Sequence, residues 1–215
     1  MNRAKALEFL NEQDLVLAYR EAEQIALRYP AGDAGLDDMV AAGQAQARAG
    51  NYQAALRWLG QAVALSDEAG LWAEYSAVLL DYGNAKSRNK NQTRGQALAA
   101  GLNAYLRAPS EAVQANGLIA AAQALEALGR GRDMLPMLRL AQDRFPRRDT
   151  ARMLNKAIAK YGFRITDSQV ENDSAAPRIC VEFSEDLVRS GISYGDYVKL
   201  PDPGLVASTE GRQLC

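Results

Sequence analysis

The chain has 215 residues, a net charge of −1 and no histidine, and 48% of its residues are hydrophobic. That length and apolar content suffice for one large domain or two small ones, and the near-neutral balance argues against bulk attraction to nucleic acid or anionic lipid. The missing histidine removes the commonest general base, metal ligand and pH switch, and no run of 18 apolar residues is present to span a membrane.

Residues 1 to about 162 read as helical. Ala and Leu are abundant, apolar residues recur at spacings of three and four, and prolines fall at the seams. The start, Met1-Asn2-Arg3-Ala4-Lys5, lacks the apolar core of a secretory signal. A first helix is predicted over 14–29, stopping at Pro30, as the second half of an incomplete helix pair. A complete pair follows over 36–49 and 52–66, where Asp37 and Asp38 meet the positive end of the helix dipole. A third pair is predicted over 72–82 and 94–107. The polar stretch 84–93 (NAKSRNKNQT) between its helices reads as a solvated insertion loop. A fourth pair, 111–128 and 133–145, ends before Pro146, and a last helix over 149–161 caps the stack before Gly162. Pro109 and Pro146 stand 37 residues apart, close to a helix-pair repeat.

The second pair carries the clearest local pattern. In a repeat of the tetratricopeptide type, a small residue in the first helix admits the second, a Gly-Asn-Tyr turn reverses the chain, and an Ala packs back. Gly43, Gly50, Tyr52, Ala55 and Ala62 fall at those positions, with Leu59 in place of the usual aromatic. Gly129 and Ala141 hold the turn and packing positions of the fourth pair. Such units cannot bury their apolar faces alone and must stack, which points to a scaffold. Trp58 and Trp72 flank a helix junction and read as packing residues. Gly129-Arg130-Gly131 reads as a helix–helix turn and not a phosphate loop, since no strand precedes it.

Between Arg130 and Arg164 there are ten basic residues against three aspartates. Arg148, Arg152, Lys156 and Lys160 step by four and should form a ridge along the last helix. An acidic partner or a lipid headgroup would suit it. The apolar side of that helix, Ala151, Leu154, Ala157, Ile158 and Tyr161, makes the ridge readable as the wet face of an amphipathic helix, and this is the reading adopted.

After Gly162 the pattern changes. Phe163-Arg164-Ile165 and residues 177–183 alternate with period two, as strands do. Tyr194, Tyr197, Val198 and Leu200 follow, then the turn Pro201-Asp202-Pro203-Gly204 and, over 210–215, a turn leading into a strand that stops as it begins. Two or three strands do not make an independent sandwich, so the segment is expected to open a larger β domain and the chain to be a piece of a longer protein. Cys180 and Cys215 both lie in strand-like text, which suggests either a disulfide or two buried thiols. With no CxxC spacing and no histidine, neither a metal site nor a thiol nucleophile with a base is indicated. No constellation does chemistry, so a non-enzyme without cofactor is expected.

The segment from Ala159 onward (AIAKYGFRITDSQVENDSAAPRICVEFSEDL, then YVKLPDPGLVASTEGRQLC) resembles the start of the macroglobulin-like sandwiches of bacterial alpha-2-macroglobulins. There, a strand of the form PRICxxFSE(D/P)L is followed by one of the form G(R/N)xLC, here residues 177–187 and 211–215. The stretches Asn103–Ser110 (NAYLRAPS) and Gly129–Gln142 (GRGRDMLPMLRLAQ) look like the helical region that precedes this sandwich in α-proteobacterial members. The resemblance implies a periplasmic inhibitor that traps proteases through a cleaved bait region and an internal thioester formed by a Cys-Gly-Glu-Gln motif. Neither feature is present here, so no active residue carries over. It further implies a disulfide between Cys180 and Cys215. The expectation is thus a mainly α chain: a TPR-like antiparallel helix-pair solenoid over 1–162, then a truncated macroglobulin-like β-sandwich over 163–215. Its partners would be proteases, through the parent protein, with no nucleic acid. The competing expectation is a free-standing TPR adaptor holding a peptide or protein partner in its concave groove.

Overall fold

The structure, a computed structural model, describes residues 3–30, 32–171, 177–188, 191–199, 202 and 204–215. It is mainly helical, with a small antiparallel sheet, and divides into two compact units, Met1–Tyr161 and Gly162–Cys215.

The first unit contains α1 (Glu12–Arg28), α2 (Leu36–Arg48), α3 (Tyr52–Ser66), α4 (Ala69–Ala85), α5 (Lys90–Arg107), α6 (Glu111–Ala127), α7 (Met134–Arg144) and α8 (Arg148–Tyr161). From α2 to α8 each helix packs on the next, joined by short turns that force antiparallel neighbours. The turns have local causes. Gly50 (φ 72°) and Gly129 (φ 78°) adopt the left-handed conformation that closes α2 and α6. Ser110 caps α6 by accepting from the Val113 amide, and Asn11 caps α1 by accepting from the Gln13 amide at 3.0 Å. Gly43 lies directly under Leu59: a Cβ there would stand 2.7 Å from the leucine Cγ, so α2 and α3 meet at van der Waals limit. Helices α5 and α6 approach backbone to backbone, where Gly101 faces the backbone of Ala121 and Gly117 faces the backbone of Tyr105. Buried Ala100, Ala104, Ala121 and Ala124 line the same seam, and Trp72, Tyr75, Tyr105, Leu118, Leu125 and Met137 fill the core beside it.

Three expectations require correction. The stretch 84–93 is not an insertion loop: α4 runs on through Ala85 and α5 starts at Lys90, so only four residues connect them. The buried Ser87 and Thr93 hydroxyls are 2.7 Å apart and the Asn89 amide donates to Ser87 Oγ, which closes a tight turn, while the other residues of 84–93 are exposed, as a solvated stretch should be. Secondly, α1 does not pair with α2 but lies against α5 and α3. Its partners are far away in sequence. Asn103 Nδ2 donates to the Ala18 carbonyl at 2.7 Å and Arg130 donates to both carboxylate oxygens of buried Asp14 at 2.8 Å; ahead of α1, Arg3 donates to the Leu106 carbonyl at 2.7 Å. Thirdly, Tyr194–Asp196 is a 3-10 turn, and no strand includes Tyr197 or Val198. Leu200, Pro201 and Pro203 lie outside the described residues. The remaining helix ends differ from expectation by one to three residues, within the fraying of helix termini.

The second unit is a four-stranded sheet of β1 (Ile165–Glu171), β2 (Arg178–Phe183), β3 (Thr209–Glu210) and β4 (Gln213–Leu214), in the order β1-β2-β4-β3. In β1–β2, Ile165 pairs with Phe183 and Val170 with Ile179; in β2–β4, Val181 pairs with Leu214. The disulfide Cys180–Cys215 continues that register one step further, with the Cα atoms 4.0 Å apart. Period-two alternation puts Ile179, Val181 and Phe183 on one side of β2 and Cys180 and Glu182 on the other.

Candidate functional site

The first unit has a groove of about 480 Å³ between α4, α6 and α8. Ala77 and Leu80 of α4 and Ala127 of α6 give it an apolar lining, while Asp81, Asn84, Gln123 and Glu126 supply polar groups. Glu126 Oε1 is the organising atom: it accepts from the Tyr161 hydroxyl at 2.8 Å and from Lys160 Nζ at 3.1 Å, tying the end of α8 to α6. The Tyr161 hydroxyl, and after it Lys160, holds the Glu126 carboxyl below the usual carboxylate range. Lys160 is pushed up by the Tyr161 hydroxyl and then by Glu126. Gly131 completes the clamp from behind, because the Tyr161 ring occupies the space a Cβ would need. On the α4 side, Asn84 Oδ1 accepts from Arg94 Nε at 3.1 Å, and Glu74 accepts from Gln44 Nε2 at 2.8 Å while its other oxygen is buried without a partner. These amides, carboxylates and one ammonium can hold backbone amides and polar side chains of another chain, but no nucleophile and base are paired among them.

The residues singled out by the repeat pattern lie elsewhere, inside the packing. Ala55, Leu59, Ala62 and Ala141 are buried and Gly43 faces Leu59. Tyr52 packs against Tyr82 and under Lys86, whose ammonium also donates to the Gly50 carboxamide oxygen at 3.1 Å. Trp72 is fully buried and donates to Asp67. Of the basic ridge, Arg148, Arg152 and Lys156 are exposed, whereas Lys160 has turned to Glu126. Nothing in the local pattern pointed to Asp81, Asn84, Gln123 or Glu126. Their only signal was polar positions on the exposed sides of α4 and α6 that recur one or two turns apart.

A second charged cluster stabilises the other face of the array. Glu21 and Arg28 form a two-pronged pair within α1, and Arg28 also reaches the Tyr75 hydroxyl, which bonds to that of Tyr29. Hydrogen bonding to Glu21 raises the Arg28 pKa, and burial raises that of Tyr75. These groups bond to one another, which accounts for their burial.

In the second unit a depression of about 1270 Å³ opens over the apolar side of the sheet, bounded by Ile165, Val170, Ile179, Phe183, Leu187 and Val206. Ile179 is 66% and Val170 63% exposed. Phe163 stacks on Phe183 with ring centroids 5.0 Å apart, and Arg212 pairs with Glu182 at 2.8 Å. No helix among the described residues is long and apolar enough to cross a membrane. No protein-family model, curated protein or solved structure matches this chain.

Proposed function

We propose that the chain is the scaffold part of a bacterial alpha-2-macroglobulin-type protein. A TPR-like helical array precedes the first strands of a macroglobulin-like sandwich whose other layer comes from further chain. Trapping of proteases belongs to the whole protein, and this part contributes spacing and docking without catalysis. The observation that carries the proposal is the bare apolar side of the sheet. Strand β2 presents Ile179, Val181 and Phe183 beside Ile165 and Val170 of β1, an arrangement that a second packed sheet would bury. The register of Gly43 under Leu59 and the left-handed Gly50 and Gly129 support the TPR-like reading of the array. The Cys180–Cys215 disulfide is compatible with a periplasmic location. The reading frame downstream of Cys215 in the source genome tests the proposal. Several further β-sandwich segments and a Cys-Gly-Glu-Gln motif are expected, and a stop codon at that point would overturn it.

A second reading, an adaptor that holds an extended peptide, is favoured by the groove between α4, α6 and α8, with its apolar lining and polar rim. Titration with peptides captured by the intact chain, repeated with Gln123→Ala and Asp81→Ala, separates the two readings. Loss of binding in both variants would favour the adaptor.

A further inference from the structure

Within the helical unit, two exposed surfaces carry opposite charge, one on α8 and one at the start of α2. At the last end, α8 packs on α7 and, through Lys160 and Tyr161, on α6. Its outer face presents Arg148, Arg152 and Lys156, exposed and about 6 Å apart along the axis, with Ile158 on the flank. Among the described residues none of the three basic groups lies within ion-pair distance of a carboxylate. At the first end, the place that a preceding helix would take against α2 is open because α1 has folded across α3 and α5. Asp33, Asp37 and Asp38 are exposed there, at the start of α2. The carbonyl of Pro30 is held by Gln61 of α3 at 3.0 Å, which fixes this acidic lead beside α3. Two large apolar side chains stand out on the adjoining helix ends, Leu27 of α1 at 83% exposure and Leu65 of α3 at 56%.

We propose that this surface pairs with its opposite on a second copy: the ridge of α8 docks on the acidic start of α2, with Ile158 meeting the exposed leucines. The contact is heterologous, so it adds copies head to tail and does not close a symmetric dimer. An isolated basic helix face would ask for an unknown acidic partner; here the complementary surface is on the same chain. Charge steering between such patches depends on ionic strength, which separates this contact from one made by the apolar side of the sheet.

Sedimentation velocity on the intact chain tests it. A concentration-dependent mass above that of one chain is expected at about 0.01 M salt, returning to a single chain at about 1 M, where the screening length falls from roughly 30 to 3 Å. Arg148→Glu/Arg152→Glu/Lys156→Glu, on a solvent face, is expected to keep the wild-type circular dichroism and to stay single at both salts. Asp37→Lys/Asp38→Lys should do the same, and mixing the two variants should restore association, because each then offers what the other lacks. A single chain at low salt throughout the micromolar range would overturn the proposal. So would association that persists at high salt or survives the α8 triple substitution, since either places the contact on the sheet.

Discussion

Gly117 and Gly95 both sit in the interior of helices, yet their surroundings differ completely. A Cβ on Gly117 would strike the backbone of Tyr105 across the α5–α6 seam, whereas one on Gly95 would meet nothing within 4 Å. Gly117→Ala is therefore expected to destabilise by about 1–3 kcal/mol through forced separation of two helices, and Gly95→Ala to stabilise by about 0.5–1 kcal/mol through helix entropy alone. Thermal melts of the pair check this; equal effects would contradict the seam described. The same measurement applies to Ala55→Leu, whose bulk would enter a fully buried site between α2 and α3 at a cost of about 1–3 kcal/mol. Arg130→Ala leaves the Asp14 carboxylate buried without its guanidinium. Because Arg130 is 30% exposed, its loss should fall short of the roughly 3–5 kcal/mol seen for fully buried pairs. At the groove, the hydroxyl of Tyr161 depresses the Glu126 pKa, so the stabilisation from this carboxylate is present above its unfolded value of about 4.3 and fades as pH falls through the lower folded value. Tyr161→Phe is expected to move the Glu126 titration, followed by carboxyl-carbon NMR, back up towards the ordinary range. An unmoved titration would show that the hydroxyl is not its main partner.

Helix α1 illustrates what the sequence could and could not reveal at the level of elements. Its existence was legible from apolar spacing and from Pro30. Its docking was not, because the contacts that decide it, Asp14 with Arg130 and Ala18 with Asn103, join residues 116 and 85 positions apart. Local patterns did locate the turn glycines, Gly50 and Gly129, since a positive φ is a property of one residue. The polar run 84–93 misled because Ser87 and Thr93, bonded to each other and to the Asn89 backbone, close a tight turn whose other residues are exposed, and hydrophilicity reads identically for a tight turn and for a longer loop in water. Strand β4 falls in the strand-like ending over 210–215, whereas β3, two residues long, is too short to leave a periodic signal. Since α2 to α8 stack by nearest-neighbour contacts and α1 closes on the same unit, residues 1–161 should fold alone. A single cooperative, strongly helical melt is expected, and a broad, non-cooperative loss of ellipticity would mean that the β segment is integral to the helical core.

At the level of the whole molecule, the helical unit buries a large core, whereas among the described residues the sheet unit buries only Cys180, Leu187 and Leu214 of its apolar side chains. The helical unit places Trp72, Tyr75 and Tyr105 wholly inside, while the sheet leaves Ile165, Val170 and Ile179 open. The disulfide closes a separation of 35 residues between β2 and the residue after β4, worth on the order of 3–4 kcal/mol in the chain-entropy account, and it holds a small sheet that has little core of its own. The proposal's central point is that this apolar side is one half of a sandwich whose other half further chain would supply. The most direct measurement is hydrogen exchange across β1 and β2, with a hydrophobic dye as a second probe, on this chain and on one extended through the reading frame downstream of Cys215. The account predicts rapid exchange and dye binding here, and slow exchange with the dye excluded in the extended chain. Equal exchange in both, with dye binding retained, would contradict it.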